Sequence, residues 1–97
     1  MDDDRLIAAR KIIGEADRDM ARLFVKRMDA VRTVAAYKRD HGLPILDEAR
    51  ERAVIERGLS YIEDGELRDL YAQFLRHVMD ISKAYQRRLM EHGEENG

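Results

Sequence analysis

Arg27 and Lys38 occupy positions where a hydrophobic pattern calls for Leu or Ile. The apolar residues Ile13, Ala16, Met20, Leu23, Val31 and Val34 recur in steps of three and four, which marks one face of a helix. Lys38 follows Arg27 by 11 residues, so at about 100° per residue the two lie within about 20° of each other. A cation left unpaired in an apolar seam costs several kcal/mol, so two on one stripe suggest a buried anion-binding site. Arg10 precedes Arg27 by 17 residues, a rotation of roughly 100° and a displacement of some 25 Å. Serving the same kind of anion, it would do so from another copy of the chain.

Further polar residues stand out downstream. Asp47, Arg50 and Glu51 fall at i, i+3 and i+4 and share a helical face. Ser82 and Gln86 end the line Leu75, Met79, Ser82, Gln86, polar where that line should stay apolar. Each has a bland reading. Arg27 could snorkel at a surface, Lys38 could favour a helix C-terminus, and Asp47 suits an N-cap whatever else it does. Arg50 and Glu51 could be an exposed charge pattern, and Ser82 and Gln86 could hydrogen-bond within an ordinary bundle. Jointly these readings require many coincidences at fixed spacing. His41, His77 and His92 lack metal-ligand spacing, and no metal site is expected.

These residues must be positioned by helices. From about residue 5 the helical period persists to about 41, with Gly14 against it and His41-Gly42 as a stop. Asp2, Asp3 and Asp4 suit its N-terminus. Such a helix is near 55 Å long, at about 1.5 Å per residue. A domain of this size is only a little over about 30 Å across. The helix is too long to be buried by its own chain, and an intertwined dimer covers it. Leu43-Pro44-Ile45-Leu46 reads as a connector, because Pro44 cannot continue a helix. A second helix is expected over about 47–57, capped by Asp47 and ended by Gly58. A third, over about 64–91, starts at Asp64 and carries Leu67, Leu70, Tyr71, Phe74, Val78, Ile81, Tyr85 and Leu89 on one face. The tail, about 92–97, reads as disordered.

Composition sets the limits. The chain has 97 residues, enough for a single domain over 1–97. Lys and Arg total 18 against 20 Asp and Glu, a net charge of −2, so no basic field attracts nucleic acid. There is no Cys, hence no disulfide framework or thiolate metal site. The acidic N-terminus is unlike a signal peptide, and no apolar run approaches the roughly 18 residues of a membrane span. A soluble, cytoplasmic protein is expected.

Taken in order, Arg10, Asp17, Arg27, Lys38, Asp47-Glu-Ala-Arg50-Glu51 and Ser82-Lys-Ala-Tyr-Gln86 resemble the pattern of the all-helical chorismate mutases. The correspondence runs from about residue 6 to 90. The resemblance implies an all-α fold, a three-helix protomer forming an intertwined helical homodimer with two shared active sites. It also implies a Claisen rearrangement of chorismate to prephenate, with no cofactor, covalent intermediate or proton transfer. In that reading Arg27 and Arg10 of the partner subunit clamp the two substrate carboxylates, and Lys38 and Gln86 donate to the ether oxygen. Glu51, with the backbone near Arg50, accepts from the ring hydroxyl, and Asp47 and Ser82 complete the carboxylate pocket. Asp17 is read as structural. Relatives with Glu at the position of Gln86 must keep it protonated, whereas an amide donates at any pH.

Two other functions compete with this one. An isochorismate–pyruvate lyase shares the fold, but the intact D-x-x-R-E of residues 47–51 and Ser82 fit the mutase better. A non-catalytic dimeric helical adaptor would have lost site residues, and none of the pattern is missing. Members of the family occur freestanding or fused to other enzymes of aromatic biosynthesis, and the sequence is compatible with both.

Overall fold

A computed structural model describes the backbone of residues 2–96 and the side chains of 3–92. It contains three helices in the order α1 (Asp2–Asp40), α2 (Glu48–Leu59) and α3 (Gly65–Asn96), and no strand among the described residues. The fold is all-α, as the periodicity predicts. No helix is long and apolar enough to cross a membrane, over the described residues.

The backbone divides into two units, Met1–Ala30 and Val31–Gly97, and the boundary falls inside α1. In the first unit, α1 carries Leu6, Ile7, Ile13, Met20 and Leu23, all exposed. It begins earlier than residue 5 because Asp3 and Asp4 occupy its first turn, where carboxylates complement the positive end of the helix dipole. Gly14 interrupts nothing. One glycine costs only about 1 kcal/mol relative to Ala, too little to break so long a helix.

In the second unit α2 packs on α3, and the last turns of α1 contribute Val31 and Ala35 to the buried set. The buried side chains of α3 are Ala72, Leu75, Met79, Ser82 and Gln86. Their steps of three and four make them a single seam, apolar for three positions and polar for the last two. The broader stripe read from the sequence is only partly covered: Leu67, Leu70, Phe74 and Ile81 are exposed, and Tyr71, Val78, Tyr85 and Leu89 are half-buried.

Two further boundaries differ from the expected ones. α2 continues to Leu59, and Gly58 is a buried residue inside it rather than the stop just past its end. A Cβ at Gly58 would stand 2.5 Å from Leu75 Cδ1 and 3.4 Å from Tyr71 Cε2, so this glycine lets α3 approach α2. The C-cap falls instead on Ser60, whose N–H donates to Glu56 and Arg57 carbonyls at 3.2 Å. α3 runs on to Asn96, where a disordered tail is expected from 92. The residues after Glu91 include no proline, and Gly93 alone is a weak breaker. Gly97 lies outside the described residues.

Candidate functional site

Lys38 is positioned by the way α1 ends. The Leu43 N–H donates to the Lys38 carbonyl at 2.8 Å and the Gly42 N–H to the Arg39 carbonyl at 3.3 Å. Gly42 adopts φ 62°, a left-handed conformation that glycine enters without a Cβ penalty. Together these define a Schellman turn with Lys38 as the helical residue whose carbonyl is recaptured. The turn folds the connector back, and the Lys38 ammonium donates to the Ile45 carbonyl at 2.6 Å. One N–H of three is used there, and the side chain is half-buried. His41 stacks on Tyr37 with ring centroids 4.0 Å apart, and its Nδ1 lies 2.9 Å from the Tyr37 carbonyl.

Asp47 caps α2. Its backbone is extended, at φ −134° and ψ 91°, and its Oδ1 accepts from the Arg50 N–H at 3.0 Å. Asp64 caps α3 in the same manner, accepting from the N–H groups of Glu66 and Leu67 at 2.9 and 3.1 Å. Capping fixes where α2 starts and hence where Arg50 and Glu51 emerge. Arg50 is exposed and Glu51 half-buried.

Glu51 reaches α3. Its Oε2 pairs with Lys83 Nζ at 2.9 Å, and the same ammonium lies 3.5 Å from Asp80 Oδ1. The hydrogen bond to Glu51 is the largest influence on Lys83 and raises its pKa above the usual lysine value. Partial desolvation opposes it, and the charges of Glu51 and Asp80 add to the rise. Lys83 is the functional candidate that sequence reading missed. A lysine beside Ser82 on a helix rich in charge carries no local signal, and its partner belongs to another helix.

Ser82 and Gln86, one turn apart, end the buried seam of α3, each 6 % exposed. The Ser82 hydroxyl donates to the Val78 carbonyl at 2.9 Å. Gln86 Oε1 is buried with no hydrogen-bond partner among the described residues. An unmatched buried polar atom of this kind costs about 1–3 kcal/mol. Amide oxygen and nitrogen exchange places on a half-turn of the side chain, so the same position can present a donor or an acceptor to a ligand.

In the second unit the structure therefore ties Lys38 to the connector, Asp47 to Arg50, and Glu51 to α3, and buries Ser82 and Gln86 together. Arg10 and Arg27 belong to the first unit, Arg10 exposed and Arg27 half-buried. The groove between α2 and α3, about 350 Å³, is lined by Glu51 with Glu48, Arg52, Ile55, Arg76, Met79 and Asp80. A second cavity, about 270 Å³, is bordered by Arg32, Ala35, Ala36 and Arg39 of α1 and by Leu89, Met90 and His92 of α3. It contains none of the expected site residues. No three His, Cys, Asp or Glu side chains among the described residues are grouped so as to hold a metal ion.

The chain belongs to the type II chorismate mutase family, a family of isomerases, whose model matches residues 9–87. It is 38% identical over 76 residues to the T-protein of Haemophilus influenzae, a match that covers 77% of this chain and 20% of that protein. The chain thus spans about a fifth of the length of the curated relative it matches. No solved structure matches it significantly.

Proposed function

We propose that this chain, as a single cytoplasmic domain, catalyses the Claisen rearrangement of chorismate to prephenate in aromatic amino acid biosynthesis, without a cofactor. The observation that carries the reading is Gln86. An amide sits at the end of an otherwise apolar buried seam, beside Ser82, with its oxygen unmatched. Native proteins rarely leave such an atom without a ligand or solvent to serve it. The ether oxygen of chorismate can only accept, so in this reading the amide turns over and presents its N–H at that place.

The rearrangement is unimolecular and pericyclic, so the protein has two tasks. The first is conformational, because the enolpyruvyl arm must fold over the ring into a chair before the bond can form. Arg27 and Arg10 of the partner subunit hold the two carboxylates, for which a guanidinium fork is well shaped. Asp47 and Ser82 complete that pocket, and Glu51 accepts from the ring hydroxyl beside the Arg50 backbone. The second task is electrostatic. The breaking C–O bond leaves negative charge on the ether oxygen, and Lys38 and Gln86 donate to it. A donor aimed at developing charge is worth about 3–4 kcal/mol. In this reading the ammonium of Lys38 reaches the substrate with the N–H groups not taken by Ile45.

Loss of chorismate absorbance on addition of the purified protein tests the proposal, alongside the Lys38→Ala variant. The expected result is rapid formation of prephenate by the wild type and a fall of at least about a hundredfold in the variant, the scale of losing one such donor. A folded protein that leaves chorismate untouched overturns it, and release of pyruvate from isochorismate by that protein would assign a lyase instead.

A further inference from the structure

Lys83 follows Ser82 on α3, so its side chain leaves the helix about 100° away from the buried seam. It turns toward α2 and meets Glu51. The pair is close, at 2.9 Å, and sheltered, with 20% and 27% of the two side chains exposed. Asp80, one turn earlier on α3, lies 3.5 Å from the same ammonium and is itself largely exposed. Lys83 is therefore held from two sides, by its own helix and by α2. Among the described residues it is the cation that pairs with Glu51; Arg52 and Arg76, which line the same groove, form no ion pair with it.

A glutamate on a helix surface has three side-chain torsions, and fixing them costs rotamer entropy. The lysine contact is made through Oε2 alone. Oε1 is left to accept a hydrogen bond from something else, with the carboxylate plane already restrained. Restraint of that kind improves binding by removing an ordering cost rather than by adding a contact.

We propose that Lys83 is a positioning residue for the reaction, its ammonium orienting the Glu51 carboxylate so that Oε1 accepts from the ring hydroxyl of the substrate. This assignment rests on the chorismate mutase reading above and on the role given there to Glu51. Lys83 touches no substrate in this account and acts through Glu51 throughout.

The test is steady-state kinetics with chorismate on the full chain and its Lys83→Met, Lys83→Arg, Glu51→Gln and Lys83→Met/Glu51→Gln variants, with thermal melting of each. Lys83→Met is expected to raise KM by about tenfold, a typical coupling between contacting residues, while kcat changes little. Lys83→Arg, which keeps a cation in reach of Oε2, should recover most of the loss. The double variant should be no worse than Glu51→Gln alone, because Lys83 has nothing left to orient. Lys83→Gln replaces the Met variant if the latter does not fold. A lowered melting temperature with KM unchanged overturns the assignment, as do effects that simply multiply in the double variant. A wild type inactive toward chorismate overturns the underlying reading and takes this assignment with it. An active wild type whose Lys83 variants bind normally overturns the assignment alone.

Discussion

Gln86 and Glu differ by one group, and that group decides how a rate depends on pH. An amide N–H is a donor at every pH, whereas a carboxyl donates only while protonated. If Gln86 stabilises the ether oxygen, kcat/KM should be flat between about pH 5 and 8, the window in which a perturbed carboxyl titrates. Gln86→Glu should introduce a falling limb as pH rises. An ordinary Glu titrates near pH 4.3 and burial displaces it upward, so the limb is expected above about 4.3. A pH–rate profile of the two proteins checks this, and a variant as flat as the parent would remove Gln86 from the donor role. Residues like Gln86, Ser82 and Lys38 are legible in the sequence because they violate a pattern. Lys83 is not, because a charged residue on a half-exposed helical position violates nothing. Its meaning comes from Glu51, which only the packing of α2 on α3 brings within 2.9 Å.

At the scale of the element, the same limit applies to glycine. Gly42 and Gly58 both read as stop signals, and only Gly42 is one, with φ 62° in a Schellman turn. Gly58 is helical and is selected by Leu75 across the contact. Local sequence cannot separate these cases, since both place a glycine near an apolar segment's end. Periodicity likewise finds the apolar faces of α3 but not which of them its own chain will use. The line ending in Ser82 and Gln86 is buried here, while Leu67, Leu70, Phe74 and Ile81 are not. A pair of substitutions separates backbone propensity from packing. Beyond its own helix, a Cβ at Gly14 would meet none of the described residues within 4 Å, so Gly14→Ala should stabilise by about 0.5–1 kcal/mol through helix propensity. Gly58→Ala gains the same propensity but drives a methyl onto Leu75, an overpacking cost of about 1–3 kcal/mol, and should destabilise on balance. Urea denaturation measures both. An equal gain at the two sites would mean that Leu75 turns aside freely, and a loss at Gly14 would mean that another chain packs there.

At the scale of the whole molecule, apolar side chains are exposed in both units. α1 exposes Ile13, Met20 and Leu23 in the first unit, and α3 exposes Leu67, Leu70, Phe74 and Ile81 in the second. Exposed apolar residues in such number suit an interaction face, and in the proposed function the occupant is a second copy. The decisive consequence is chemical. If each site takes Lys38 from one chain and Arg10 from the other, then Arg10→Ala and Lys38→Ala homodimers are both disabled, since every site in each lacks one group. A heterodimer of the two variants is different. Both defects fall in one of its sites, and the other is wild type throughout. Random exchange of subunits at equal amounts makes half the dimers mixed, so about a quarter of all sites should be intact under two-fold symmetry. Mixing the two purified variants under conditions that permit exchange, then measuring chorismate turnover, should therefore restore about a quarter of wild-type activity, to be compared with the sum of the separate variants. Restoration to that level requires Arg10 to act across the interface. No gain on mixing, with subunit exchange verified independently, would place Arg10 and Lys38 in the same chain's site or outside the site altogether.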